Sequence, residues 1–326
     1  MLIKQIARTT QLSEEELRRI ASNASTRYKI YEIPKRGQAG RKRQIAHPSR
    51  ELKALQRWIS RVIFDRLPVH YAATAYRKGS GIKENAERHR NSLYTNRYDF
   101  SNFFPSFHQN NVEGFIYNEL AKVGQYLDEE NLTFIGNIVC RHGRLSIGAP
   151  SSPIITNAMM FDFDQHLFDY CRSNDLIYTR YADDLFISSY ERGKLNKLEP
   201  KIAAIKRDIP HLTLRLNRSK TAYLSKKYAR RITGIIITPD HRLSIGRERK
   251  REIKSLVHRW IRSKLKPEEL FYMRGLLAFA RDIEPTFETS LREKYGNRVI
   301  DEILRNPVLE ISPSDDFDFK LWSIDF

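Results

Sequence analysis

The stretch Leu176-Ile177-Tyr178-Thr179-Arg180-Tyr181-Ala182-Asp183-Asp184-Leu185-Phe186-Ile187-Ser188 decides the fold. Two β-prone runs flank a short acidic break, so the segment is expected to fold as a hairpin with Asp183 and Asp184 at its tip. An adjacent Asp pair is common in plain turns, because Asp tolerates turn geometry. It is also a poor way to build a core and a good way to hold hard cations. A third acid, Asp99, ends another β-prone run, Leu93 to Tyr98, and is followed by Phe100-Ser101-Asn102-Phe103-Phe104. Flanking strands, an aromatic before the pair and this upstream strand-ending acid favour the cation reading over the plain turn.

Three carboxylates so placed suit nucleotidyl transfer. There a primer hydroxyl attacks the α-phosphorus of a triphosphate, and two Mg²⁺ ions serve attacker and leaving group together. Mg²⁺ prefers oxygen and is usually held by one or two carboxylates plus substrate phosphates. Asp99 and Asp183 are the expected bridging ligands, with the Phe100 carbonyl on the triphosphate-side ion; Asp184 adds negative potential. Asp99, Asp183 and Asp184 are thus the candidate catalytic and metal-binding residues, with Phe100.

Around them, Phe104 lies five residues after Asp99. Its ring either sits under the sugar of the incoming nucleotide, excluding a 2′-hydroxyl, or belongs to the aromatic core of Phe100, Phe103 and Phe107. Gly148-Ala149-Pro150-Ser151-Ser152-Pro153 places small residues before a helix, as a close-packed nucleotide turn or simply a helix start. Arg43 is a candidate grip on triphosphate oxygens. Lys220 either approaches the leaving pyrophosphate or contacts backbone phosphate at the surface.

Composition supports a polyanionic partner. The 326 residues carry a net charge of +18, and 40% are hydrophobic, as in a folded protein. Residues 191–266 hold 23 Lys/Arg against 6 Asp/Glu, and residues 27–61 hold 11 against 2. From 267 onward the balance reverses to 7 against 13. Two separate basic blocks suggest a groove with positive walls. Cys140 and Cys171 have no metal spacing and offer no disulfide framework, implying a reducing compartment. No apolar stretch reaches the ~20 residues of a membrane span, and no signal-peptide pattern opens the chain. The expected location is cytoplasmic, without membrane association.

Ser13-Glu14-Glu15-Glu16 reads as a capping box opening a short helix. Tyr28–Ile33 and Gln44–His47 read as strands around a basic turn from Lys35 to Arg43. Residues 50–67, 111–126 and 153–172 read as helices, and 176–189 and 211–237 as mostly β. From Arg247 a helix carries Ile253, Leu256, Val257, Trp260 and Ile261 on one stripe. Helices headed by Pro267 and Pro285 complete a small bundle, and 306–326 reads as an extended acidic tail.

These pieces together resemble the reverse transcriptases over roughly residues 27–305, most of all the bacterial retron enzymes. Asn85-Ala86-Glu87-Arg88-His89 is similar to their Asn-Ala-x-x-His element, and Arg231-Ile232-Thr233-Gly234 to their Val-Thr-Gly element with Ile for Val. Pro48 to Gln56 is similar to their fingers helix. Ile147 departs from the Gln that many reverse transcriptases carry before the glycine. The resemblance implies an α+β right-hand polymerase fold: N-terminal helix and fingers over 1–92, palm over 93–240, helical thumb over 241–305 and tail over 306–326. It implies RNA-directed DNA synthesis with dNTPs on a cognate structured non-coding RNA, primed from a guanosine 2′-hydroxyl to give branched RNA–DNA. A separate effector protein and a role in phage defence are implied as well. Asn85, His89, Ile232, Thr233 and Gly234 are implied RNA-binding positions, and Trp260 on the basic helix is a candidate beside them. Alternatives are a reverse transcriptase of the group II intron or diversity-generating type, or a non-catalytic RNA-binding scaffold or antitoxin on the same fold.

Overall fold

A computed structural model describes residues 2–34, 40 and 42–305. Most of the expected basic turn (35–39 and 41) and the acidic tail (306–326) therefore lie outside the described residues. The chain opens with α1 (Leu2–Thr10), α2 (Glu14–Ser22), β1 (Tyr28–Pro34), β2 (Lys42–Pro48), α3 (Arg50–Val62), α4 (Ile82–Arg88) and β3 (Tyr94–Ser101). It continues through α5 (Gln109–Lys122), α6 (Glu129–Val139), β4 (Cys140–Arg141), β5 (Arg144–Leu145), α7 (Ser151–Met159), α8 (Phe161–Ser173), β6 (Ile177–Tyr181) and β7 (Asp184–Ser189). After α9 (Leu198–Arg207) come five short strands: β8 (Arg215–Leu216), β9 (Ala222–Ser225), β10 (Arg230–Ile232), β11 (Ile235–Ile237) and β12 (Leu243–Ser244). The described chain ends in α10 (Arg247–Ile261), α11 (Pro267–Ile283), α12 (Pro285–Tyr295) and α13 (Asn297–Arg305).

The chain divides into two compact units, Met1–Gly81 with Tyr94–Tyr223, and Ile82–Leu93 with Leu224–Phe326. The first is α+β. Its main sheet is antiparallel in the order β6-β7-β3-β8, with β9 also pairing β3. Tyr98 and Phe100 of β3 are buried; Phe100 meets Phe163 of α8 edge to face at 5.7 Å. β1 and β2 form a separate antiparallel ribbon running from Tyr28↔Pro48 to Pro34↔Lys42.

Local chemistry explains the element ends. Ser13 accepts from Glu16 N, and Glu16 accepts from Ser13 N at 2.8 Å, which closes the expected capping box on α2. Ser49 caps α3, whose Leu52, Leu55 and Ile59 form the buried stripe. Gln56 is buried in the same helix because its amide donates to the Tyr28 hydroxyl and the Ile138 carbonyl, both at 2.9 Å. α3 stops at Val62 rather than running to 67; a 3-10 turn, Phe64–Arg66, follows.

Other expectations need correction. The helix expected over 153–172 is two helices, with Met160 between them at φ −86°, ψ 0°. Periodicity misses that break because both pieces are apolar on their inner faces. The β region expected over 211–237 is four short strands interrupted by a 3-10 turn at Arg218–Lys220. Ile261 leaves the expected apolar stripe and is 48% exposed at the end of α10.

The second unit joins a three-stranded sheet, β10-β11-β12, to four C-terminal helices and α4. Ile253, Leu256 and Val257 of α10 are buried with Met273, Leu276 and Leu277 of α11. Among the described residues no helix is long and apolar enough to cross a membrane.

Candidate active site

Strand pairing assembles the acids. β7 runs antiparallel to β3 with Asp99 directly across from Asp184, while Tyr181 and Asp184 close the β6–β7 turn. The Phe100 N–H donates to the Asp183 carbonyl at 3.0 Å, which ties the turn to the residue after Asp99. Ala182 adopts φ +52°, a left-handed conformation that costs an L-residue about 1–2 kcal/mol. Strain of this kind persists only where the surroundings over-determine it.

The acids share an electrostatic problem. Burial, and then the charge of Asp99, raise the Asp183 pKa; Lys220 and Arg43 act in the opposite direction. Asp184 rises to about 7 through burial first and the charge of Asp183 second, despite a side chain 27% exposed. Arg97 Nε lies 3.6 Å from Asp184 Oδ1, and Lys220 Nζ lies 2.7 Å from Asp99 Oδ1. Asp99 Oδ2 and Asp184 Oδ1 are buried without a hydrogen-bond partner.

Unsatisfied, mutually repelling carboxylate oxygens are what a hard cation relieves. Among the described residues no group of three or more His, Cys, Asp or Glu side chains stands as a ready metal cage. The donor set instead fits Mg²⁺, which takes few protein carboxylates and completes its shell with substrate phosphates and water.

The neighbouring candidates fall into place unequally. Phe104 opens a 3-10 turn and is partly buried, with its ring edge to face on Phe103 at 5.4 Å. Phe103 in turn stacks on Phe100 at 6.2 Å, so the rings continue from the residue next to Asp99. Arg43 is an exposed residue of β2 whose charge reaches Asp183. Lys220 belongs to a segment fastened to Asp99 twice, since Asn217 N also donates to the Asp99 carbonyl at 2.7 Å.

Gly148 has a steric reason to be glycine. Its φ is +112°, and a Cβ there would stand 2.6 Å from the Ala46 carbonyl of β2 and 3.0 Å from Ile45 Cγ2. The adjoining Ile147 carbonyl accepts from Ala46 N at 2.8 Å. Gly148 therefore seats the ribbon that carries Arg43, and Ala149 beside it is buried.

The implied RNA-binding positions lie in the second unit, and most of them are interior. Asn85, His89 and Ile232 are fully buried. Asn85 donates to Thr233 Oγ1 at 3.4 Å, and Thr233 Oγ1 donates to the Ile82 carbonyl at 3.3 Å. Thr233 (φ +44°) and Gly234 (φ +81°) form the two-residue turn between β10 and β11, where positive φ suits the twist of a hairpin. Buried Arg230 donates to the carbonyls of His89 and Arg90 and to Ser92, and so closes the end of α4. These residues bind α4 to the hairpin. Trp260 is partly buried on α10.

Burial, then the charges of Arg230 and Arg88, push the His89 pKa down to about 3. Unfolded histidine titrates near 6.5, so the neutral buried ring contributes stability that is present above pH 6.5 and lost as pH falls toward 3. At pH 5 the loss is about 2 kcal/mol. His89→Gln is expected to flatten the acid limb of the melting temperature between pH 6.5 and 4; an unchanged slope counts against this assignment.

Sequence reasoning missed Arg97 beside Asp184, Arg180 on the Ala182 carbonyl, and Tyr76, on whose hydroxyl the Asp183 charge acts. The two arginines sit in strands that had been read only for their apolar residues. Tyr76 stands at φ +56° and 54% exposed, a constrained conformation for a bulky side chain that no composition signal reveals.

Residues 33–237 match the sequence profile of the family described as reverse transcriptase (RNA-dependent DNA polymerase). The Retron Ec83 reverse transcriptase of Escherichia coli is 36% identical over 293 residues, covering 87% of this chain and 92% of that protein. The Retron Ec86 reverse transcriptase of Escherichia coli is 32% identical, covering 91% of each. Among solved structures, a telomerase from Candida albicans in complex with a fragment of telomeric RNA aligns at 13% identity with a TM-score of 0.49, over 90% of this chain and 59% of that one.

Proposed function

We propose that this chain, which belongs to the reverse transcriptase family and is an RNA-directed DNA polymerase of the retron group, copies one cognate structured non-coding RNA from a guanosine 2′-hydroxyl of that RNA. The product is a branched RNA–DNA molecule, and the complex works with a separate effector protein in defence against phage. The observation that carries the catalytic reading is the register Asp99↔Asp184, with Asp183 tied to Phe100 in the turn beside it.

In this reading Asp99 and Asp183 hold two Mg²⁺ ions, with the Phe100 carbonyl and Asp184 in support. When bound, the ions neutralise the triphosphate and lower the pKa of the attacking hydroxyl. Arg43 orients the triphosphate from β2. Lys220 starts on Asp99 and supplies the proton that the departing pyrophosphate takes up. Phe104 stands under the sugar, and Phe104→Val is expected to raise ribonucleotide use relative to deoxynucleotides by about 10-fold or more, read by single-nucleotide primer extension. Equal discrimination in the variant would return Phe104 to the core.

Segments 1–92, 93–240 and 241–305 act as fingers, palm and thumb. Asn85, His89 and Ile232 serve RNA recognition by holding α4 to the hairpin, while Arg247, Arg251, Lys254 and His258 supply direct phosphate contacts. These four recur every three to four residues on the exposed side of α10.

The test uses protein purified with the RNA that accompanies it, Mg²⁺ and labelled dNTPs. The expected product is DNA of one discrete length that stays joined to RNA. Product of unrestricted length, or DNA with a free 5′ end, would remove the retron-specific part of the reading.

A further inference from the structure

Behind the acid turn lies a fully buried cation. Arg180, the penultimate residue of β6, has 0% exposure, and its guanidinium is engaged on every arm. Nε donates to Asp164 Oδ1 at 2.8 Å and to Oδ2 at 3.1 Å, and Nη2 to Asp164 Oδ2 at 2.6 Å. Nη1 is shared between Asn157 Oδ1 at 3.1 Å and the Ala182 carbonyl at 3.2 Å.

Each anchor is itself held. Asp164, on α8, is fully buried and accepts the Tyr178 hydroxyl at 2.6 Å. Asn157, on α7, donates to the Ala75 carbonyl at 2.8 Å. The Arg180 backbone donates to the Ala72 carbonyl and accepts from Thr74 N, each at 2.8 Å. One residue thus connects two helices and the left-handed turn that carries Asp183 through its side chain, and the 72–75 strap through its backbone.

Stability alone is a weak reason for this arrangement. A buried ion pair is often replaced by apolar residues of similar volume without loss, because desolvation offsets the attraction. An apolar pair cannot donate to the Ala182 carbonyl, and it leaves the strained turn unsupported. Lysine keeps the charge but has no planar fork to reach Asp164, Asn157 and Ala182 together.

We propose that Arg180 is a positioning residue: its guanidinium, braced by Asp164 and Asn157, fixes the Ala182 turn and thereby sets Asp183 against Asp99. The proposal rests on the reading of those acids as the catalytic set. An error of about 1 Å in such a site costs about 10²-fold in rate.

The test is primer extension by the full chain on poly(rA) primed with oligo(dT), as a function of Mg²⁺ concentration, with melting temperatures measured in parallel. Arg180→Lys is expected to fold, to lose about 10²-fold in kcat and to need about tenfold more Mg²⁺ for half-maximal rate. KM for primer–template should stay unchanged. The combined substitution Arg180→Met, Asp164→Leu and Tyr178→Phe removes the ion pair together with the hydroxyl that Asp164 accepts, and is expected to show the same Mg²⁺ shift with stability retained. Asn157→Leu, which leaves the ion pair intact, covers the case in which neither variant folds; about a threefold Mg²⁺ shift is expected for it.

A folded variant with wild-type kcat and Mg²⁺ dependence overturns the proposal while leaving the polymerase reading intact. A wild-type protein without Mg²⁺-dependent synthesis, on poly(rA) with oligo(dT) and on the RNA that accompanies it, overturns both.

Discussion

Asp183→Asn is expected to reduce DNA synthesis by at least about 10³-fold, because it removes a charged oxygen from the proposed cation site. RNA affinity should stay within about twofold, since binding rests on the basic surfaces rather than on the acids. Stability is expected to move the other way. The Asp183 pKa is raised in the folded protein, by burial first and then by Asp99, so its ionisation opposes folding. The sign follows from linkage. A carboxyl with a raised folded pKa binds its proton more tightly when folded, so the protein loses stability as pH climbs past the unfolded value near 4. Replacing that charge with a neutral amide relieves the repulsion, and the melting temperature at pH 8 should rise or hold. Activity lost together with stability would mean that the turn had collapsed. Activity retained in a folded variant would remove Asp183 from the chemistry.

Gly148→Ala carries the second large effect. The added Cβ would meet the Ala46 carbonyl at 2.6 Å, and φ +112° is closed to L-residues. Either the ribbon of β1 and β2 shifts away or the turn before α7 rearranges. Backbone strain of this type costs about 1–3 kcal/mol, and the clash with a carbonyl adds to it. A fall in melting temperature of roughly 5–10 °C follows for a domain of this size.

Because Arg43 rides on β2, the KM for dNTP should also rise, by about tenfold. Gly143→Ala is the control. Gly143 also has positive φ, +72°, but no atom lies within 4 Å of a Cβ built there. It is expected to lose about 1 kcal/mol and no activity. Equal effects at the two glycines would mean that conformational strain alone is at work, and that the seat against β2 is irrelevant to nucleotide binding.

The acid hairpin and the strand carrying Asp99 were legible in the sequence because both are strongly β-prone runs interrupted by charge, although that strand continues past Asp99 to Ser101. Their register was not, since nothing local sets Asp99 opposite Asp184 rather than one residue along. The capping box at Ser13 and the proline-headed helices at Pro267 and Pro285 were legible for a similar reason: cap chemistry acts within one turn. The break at Met160 was hidden, since both flanking helices present apolar faces inward and no Gly or Pro marks the join.

Motif similarity located Asn85, His89 and Ile232–Gly234 but not their burial. A motif records which residues recur, and a buried brace recurs as faithfully as a surface contact. Arg180 was passed over for another reason: its strand was read only for its apolar residues. Its partners, Asp164 and Asn157, lie 16 and 23 residues away, beyond any local pattern.

The central claim is that Asp99, Asp183 and Asp184 form one divalent-cation site. Thermal melting with and without Mg²⁺ at pH 8 and pH 5.5, in wild type and in Asp99→Asn with Asp183→Asn, tests it most directly. At ten times the dissociation constant, selective binding to the folded protein contributes about 1.4 kcal/mol, or roughly 3–6 °C. The wild type should show that rise at pH 8. At pH 5.5 the rise should shrink, because burial and then the Asp183 charge push the Asp184 pKa up to about 7, so that its proton competes with the ion. The double variant should show no rise at either pH. An equal rise in the double variant, or none in the wild type at pH 8, would contradict the account.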